Sequence, residues 1–125
     1  MPVFKREGRR YYQVDWAVDT YVSILGATRE KSLNYNLRHF IIKRSGYIPL
    51  HRHTNVYHLQ YMLKGRIKLR IGEETYIVGE GDVMYLPNGP PHGYLNIGDS
   101  DAEFLCITPL IPDKMEVVDK NKEAI

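Results

Sequence analysis

The chain of 125 residues has one cysteine, Cys106, so it can form neither an intrachain disulfide framework nor a CxxC zinc pair, and a reducing compartment is expected. Long apolar runs are missing as well. None approaches the ~20 residues that cross a bilayer, and the opening stretch MPVFKREGRR lacks the apolar core of a signal peptide. A soluble cytoplasmic protein without a membrane partner is the expectation. Neither sign of charge dominates: 17 Lys and Arg face 15 Asp and Glu, and the basic residues are scattered rather than gathered into a stripe, which argues against a nucleic-acid partner. Also lacking are a long helical period, an internal linker and a low-complexity tract.

What the sequence does contain is a succession of short runs rich in Tyr, Ile, Val and Leu, separated by Gly, Pro, Asn and Asp. These predict strands over residues 11–18, 21–26, 36–43, 57–63, 66–72, 74–78, 82–86, 92–97 and 102–109. LKGRIKL predicts a hairpin turning at Gly65, and RIGEETYIV a second one around GEE. Short strands at such regular spacing indicate an all-β fold, an antiparallel jelly roll. One compact domain over residues 1–112 is expected, followed by a charged C-terminal tail, 113–125, read as frayed or as a short surface helix.

Three of the five histidines crowd into HRHTNVYH, residues 51–58. Alternate residues of a strand share a face, so His51 and His53 project side by side while Arg52 points away, and two imidazoles so placed can share one metal ion. A short loop returns the chain at His58. His92 follows the rigid turn LPNGPP and can reach the same place in a closed sheet. Gln60 shares the face of His58 and is the alternative to it as a ligand. His39 neighbours Arg38 and Phe40 and faces the opposite side from both.

These segments resemble the two motifs of the cupin superfamily. GDVMYLPNGPPHGYLN supplies Gly81, Pro87, Gly89, His92 and Asn96 at every position of the second motif. GYIPLHRHTNVYHLQYMLKG supplies Gly46, His51, His53, His58 and Gly65 of the first, with one residue fewer before the HxH pair and a histidine in the usual glutamate position. The resemblance spans most of residues 35–110 and is to small single-domain cupins with four histidines. It implies a single cupin-type jelly-roll β-barrel, a divalent transition metal on His51, His53, His58 and His92, and a homodimer. It tilts the metal toward manganese or iron, with zinc, nickel or copper as alternatives.

Four neutral imidazoles leave a divalent ion its full charge, which suits a small anionic, chelating substrate. By strand parity Tyr94, Gln60 and Met62 share the face of the histidines, and Ala102, Phe104 and Cys106 point inward. Tyr94, Arg38 and Cys106 are the candidate catalytic residues, Arg38 as the holder of a substrate carboxylate. No Asp or Glu falls on an inferred inward face near the histidines. An isomerase or lyase needs a poised base, so the expected activity is a metal-dependent oxidoreductase of dioxygenase type. The alternatives are a non-oxidative sugar or sugar-acid isomerase or lyase, and a module that binds a small molecule or metal without reacting.

Overall fold

A computed structural model describes residues 3–25 and 34–125. The described strands are β1 (Tyr12–Gln13), β2 (Val18–Ile24), β3 (Tyr35–His53), β4 (His58–Lys64), β5 (Arg66–Ile71), β6 (Glu74–Gly79), β7 (Val83–Leu86), β8 (His92–Asn96), β9 (Ala102–Pro109) and β10 (Met115–Asp119), with a 3-10 turn at Lys122–Ala124. All pairings are antiparallel, in the order β6-β5-β8-β3-β9-β4-β7. β10 and β2 also pair with β3, and β1 with β2. The sheet curls into a jelly-roll barrel, as the alternation of the strands predicts. Among the described residues no helix is long and apolar enough to cross a membrane.

β3 holds the two halves together. Its first part, from Tyr35 to Ile42, pairs with β9, and its last part, from Tyr47 to His51, pairs with β8. Between them the strand bends at Ser45, where φ is +66°. Gly46 sits in this bend because a Cβ there would lie 2.8 Å from the Val18 carbonyl oxygen and 2.9 Å from that of Lys43. The long strand thereby carries the HxH pair from one wall of the barrel toward the other.

The register of β3, β9 and β4 lays down the barrel interior in layers. Asn36 opposes Thr108, Arg38 opposes Cys106, Phe40 opposes Phe104, and Ile42 opposes Ala102. From β4, Gln60 opposes Cys106 and Met62 opposes Phe104. The inside therefore grades from polar at one end to apolar at the other, where Ile42, Met62, Ala102 and Phe104 are fully buried. β4 inverts the usual alternation: His58, Gln60 and Met62 face in while Leu59, Tyr61 and Leu63 are exposed. Val83 and Tyr85 of β7 extend that exposed apolar face, pairing with Tyr61 and Leu59.

Three expectations are corrected. Residues 11–18 do not form one strand; only Tyr12–Gln13 is extended, a turn follows, and Val18 already belongs to β2. The hairpin at Gly65 is not made either, because β4 pairs with β7 and β9 while β5 pairs with β6 and β8. Gly65 instead carries the chain from one pairing partner to another at φ +83°, where a Cβ would lie 2.7 Å from the Asp101 carbonyl oxygen. The second hairpin does form, with Ile71 opposite Glu74. Finally, the C-terminal segment is not a frayed tail: β10 pairs with the end of β3, only Lys122–Ala124 forms a single 3-10 turn, and Ile125 is buried against Gly93. The last residue of the expected 21–26 strand, Gly26, lies outside the described residues.

Asn96 closes the loop after β8. Its side-chain amide donates to the carbonyls of Ile42, Lys43 and Ser100 at 2.9, 3.2 and 2.9 Å, and its Oδ1 accepts from the Gly98 amide. Asn96→Ala strands those carbonyls in a buried place, at about 1–3 kcal/mol. The expected result is a lower thermal midpoint by circular dichroism with an unchanged histidine site; an unaltered midpoint would refute this role.

Candidate metal centre

β3 delivers His51 and His53, β8 delivers His92, and β4 delivers His58. His51 lies opposite His92 in the β3–β8 ladder, which puts their ring centroids 4.2 Å apart. The ring of His53 lies 5.2 Å from that of His51, and the ring of His58 lies 4.7 Å from His53 and 5.1 Å from His92. Nitrogens of His51, His53 and His92 lie within 4.8 Å of one another, a cluster that could hold a metal ion. His58 stands beside this group of three. His39 is elsewhere, on the outer surface, bonded to Tyr11 and Glu103.

The hydrogen bonds set the tautomers. His51 Nδ1 lies 2.8 Å from the Pro49 carbonyl oxygen, and His53 Nδ1 lies 2.7 Å from Asp113 Oδ2. A carbonyl and a carboxylate can only accept, so both Nδ1 atoms carry a proton, and in the neutral ring Nε2 is the atom with the lone pair. His92 is more telling: both ring nitrogens are buried and neither makes a well-formed hydrogen bond, the Pro90 backbone offering only a weak contact, and His58 Nδ1 is likewise without a partner. Buried polar atoms are seldom left so. A divalent ion bound at ~2.0–2.1 Å is a partner that such lone pairs fit.

Burial also keeps the rings neutral. It lowers His51 to about 4, against the pull of its Pro49 hydrogen bond, and lowers His58 to about 3, with the charge of His53 adding to the effect. His92 falls well below its ordinary value for the same reason, reinforced by His51 and His58. At neutral pH His51, His58 and His92 thus present unprotonated nitrogens, the form that ligates metal.

Around the cluster the other predicted residues divide by role. Gln60 is buried and lines the same chamber as the histidines, its amide donating to Tyr94 Oη at 2.9 Å and to Cys106 Sγ at 3.3 Å. Tyr94 lies edge-on to His92 with centroids 5.7 Å apart, and burial raises its phenol far above the ordinary range. Burial raises the Cys106 thiol too, so it is a neutral wall group. Arg38 reaches in beside Cys106 Sγ at 3.7 Å and lies over the Phe40 ring at 5.1 Å.

Two neighbours escaped sequence reasoning. Trp16 packs its ring 4.7 Å from that of His51, from a segment that carries no motif. Asp113 overturns the expectation that no acid serves the histidines. Besides His53 it accepts from the backbone amides of Asn55 and Val56 at 2.8 and 3.1 Å and from Thr54 Oγ1 at 3.3 Å. Burial alone would raise its carboxyl, but the Asn55 amide and His53 hold it down to about 2. The only signal for it was an Asp after Pro112, in a segment that looked like a tail.

Residues 38–108 match the family model described as a cupin domain. The chain belongs to the cupin family. Over 76 residues this cupin is 30% identical to the uncharacterised protein MJ1618 of Methanocaldococcus jannaschii, a stretch that covers 61% of each chain, so the match spans about three-fifths of that relative. The polyketide cyclase RemF of Streptomyces resistomycificus superposes with a TM-score of 0.84 at 25% identity, covering 98% of this cupin and 88% of that chain. A predicted oxalate decarboxylase of Thermotoga maritima gives 0.74 at 17% identity, covering 87% and 99%, a likeness of fold alone.

Asp113→Asn replaces a charged acceptor behind His53 with a neutral amide. Metal affinity, measured by competition with a chromophoric chelator, is expected to fall about 10–100-fold, as for other partners of ligating histidines. Unchanged affinity would separate Asp113 from the site. A second expectation concerns pH. The histidines titrate near 6.5 when unfolded but near 4 and 3 at His51 and His58 when folded, so below 6.5 the unfolded state binds more protons. The metal-free protein should therefore lose stability steadily as pH falls from 6.5 toward 4. His51→Gln should flatten that decline; a thermal midpoint with the same pH slope in both proteins would contradict the assignment.

Proposed function

We propose that this cupin is a metal-dependent oxidoreductase of dioxygenase type, acting on a small chelating substrate at a divalent ion held by His51, His53 and His92, with His58 as fourth donor. The observation that carries it is the convergence of His51, His53 and His92 nitrogens within 4.8 Å of one another, with no well-formed hydrogen bond at the buried ring of His92. Manganese or iron is the preferred ion within this proposal. When bound, such an ion supplies Lewis acidity and redox chemistry with dioxygen.

The groups of the chain itself bind, orient and exclude water. All-histidine ligation adds no negative charge, so the site attracts anionic oxygen donors. Tyr94 and Gln60 hold each other and form a rigid polar wall beside His92. Among the described residues no poised base stands at the site, which supports the oxidative reading: Tyr94 and Cys106 are both pushed up by burial, and the oxygens of Asp113 are taken by His53 and the loop before β4. A non-oxidative lyase or cyclase is the second reading, favoured by the likeness to the polyketide cyclase. A homodimer belongs to the proposal too, supported by the exposed apolar face of β4 and β7.

The test is elemental analysis of protein purified without a metal-affinity tag, beside a variant with His51, His53 and His92 changed to Ala, followed by oxygen uptake with diketone, enol and catechol-like substrates. About one manganese or iron per chain, lost in the variant, and substrate-dependent oxygen uptake are the expected results. Turnover that proceeds equally without oxygen would establish the second reading. Absence of metal after reconstitution would end both.

A further inference from the structure

The histidine chamber is small, about 50 Å³, enough for an ion and a few heavy atoms but not for an organic molecule of any size. Beside it lies an open cavity of about 320 Å³, within the range of small-molecule sites. Arg38 and His53 line both spaces and form the passage between them. Val56 and residues 109–112 supply the apolar half of the outer cavity's lining.

Arg38 is the unexplained group. Among the described residues no carboxylate pairs with it, and its Nε is buried without a hydrogen-bond partner. Its contacts are a thiol and the face of Phe40. Asn36, on the same face of β3 toward the mouth, has a buried Oδ1 that is equally unpartnered. The one acid in the cavity wall, Asp113, has both oxygens occupied by His53, Thr54 and the amides of Asn55 and Val56. A half-buried guanidinium with spare donors, between a cationic metal position and an apolar chamber, is a receptor for a carboxylate.

We infer that the outer cavity binds an amphipathic carboxylic acid, its carboxylate on Arg38 and facing the histidine chamber, and its apolar body against Val56, Leu110 and Ile111. The substrate class is then an aryl or branched alkyl 2-oxo or 2-hydroxy acid, since the oxygen next to the carboxylate points through the passage. A small diacid such as oxalate leaves the outer cavity empty. The inference rests on the proposed function only for the metal end of the ligand; the Arg38 end stands without it.

Calorimetric titration of phenylpyruvate, with acetate as the control lacking the apolar body, tests both ends in metal-free and metal-loaded protein. Arg38→Gln is expected to weaken phenylpyruvate binding at least about tenfold in both forms, with metal content unchanged. Ile111→Ser, at an exposed position that does not endanger folding, should weaken phenylpyruvate while leaving acetate unaffected. Wild-type affinity in both variants, or no binding by wild type in either form, would overturn the inference. A protein that holds no metal but still loses phenylpyruvate on Arg38→Gln would overturn the proposed function alone.

Discussion

Buried imidazole nitrogens that lack a well-formed hydrogen bond within the protein are the constraint on which the rest of this structure turns. A ring such as His92, whose two nitrogens lack well-formed partners, loses its hydration on burial with little compensation from the Pro90 backbone and stays neutral as a consequence. The barrel tolerates that cost at its centre while satisfying groups around it. His51 is tied to the Pro49 carbonyl, His53 to Asp113, and Gln60 to Tyr94. Each tie consumes a nitrogen or amide on the outer side and leaves the inward lone pairs of the histidines free.

The same economy explains the unusual make-up of β4. Its inward positions go to His58 and Gln60, so its apolar residues Leu59 and Tyr61 face out. The apolar floor is built instead from Ile42, Met62, Phe104 and Ala102, one or two layers further along the same strands. Site and core thus share strands but not layers, and stacked rings of Tyr94 and Phe104, 5.2 Å apart, mark the boundary between them.

The motif glycines and Asn96 act on the frame rather than on the chemistry. Gly46 and Gly65 stand where backbone passes too close for a Cβ, and Asn96 fastens the loop after β8 to β3. They hold the two halves of the barrel at the separation that lets His92 meet His51. A cupin signature in sequence is accordingly a statement about packing as much as about ligands.

Much of this was legible in the residues alone. Period-two alternation identified most strands, and the spacing of His51, His53, His58 and His92 marked the cluster, because side-chain direction in a strand follows from local geometry. Parity also placed Tyr94, Gln60, Phe104 and Cys106 on the inner face and His39 on the outer. Pairing partners were not legible. Gly65 looks like a hairpin turn since a local pattern cannot tell a reversal from a crossing between partners, and Tyr12–Gln13 stops short because the chain turns between Val14 and Ala17 and returns as β2. Asp113 and Trp16 reach the histidines from segments with no periodicity, brought there by long-range pairing of β10 and by packing of the turn before β2. The sequence by itself thus determined most of the strands, their inner faces and the candidate ligands. Only the tertiary structure determined which groups stand behind those ligands and that Arg38 opens onto a second cavity, because contacts between distant segments depend on strand order, which no local repeat encodes.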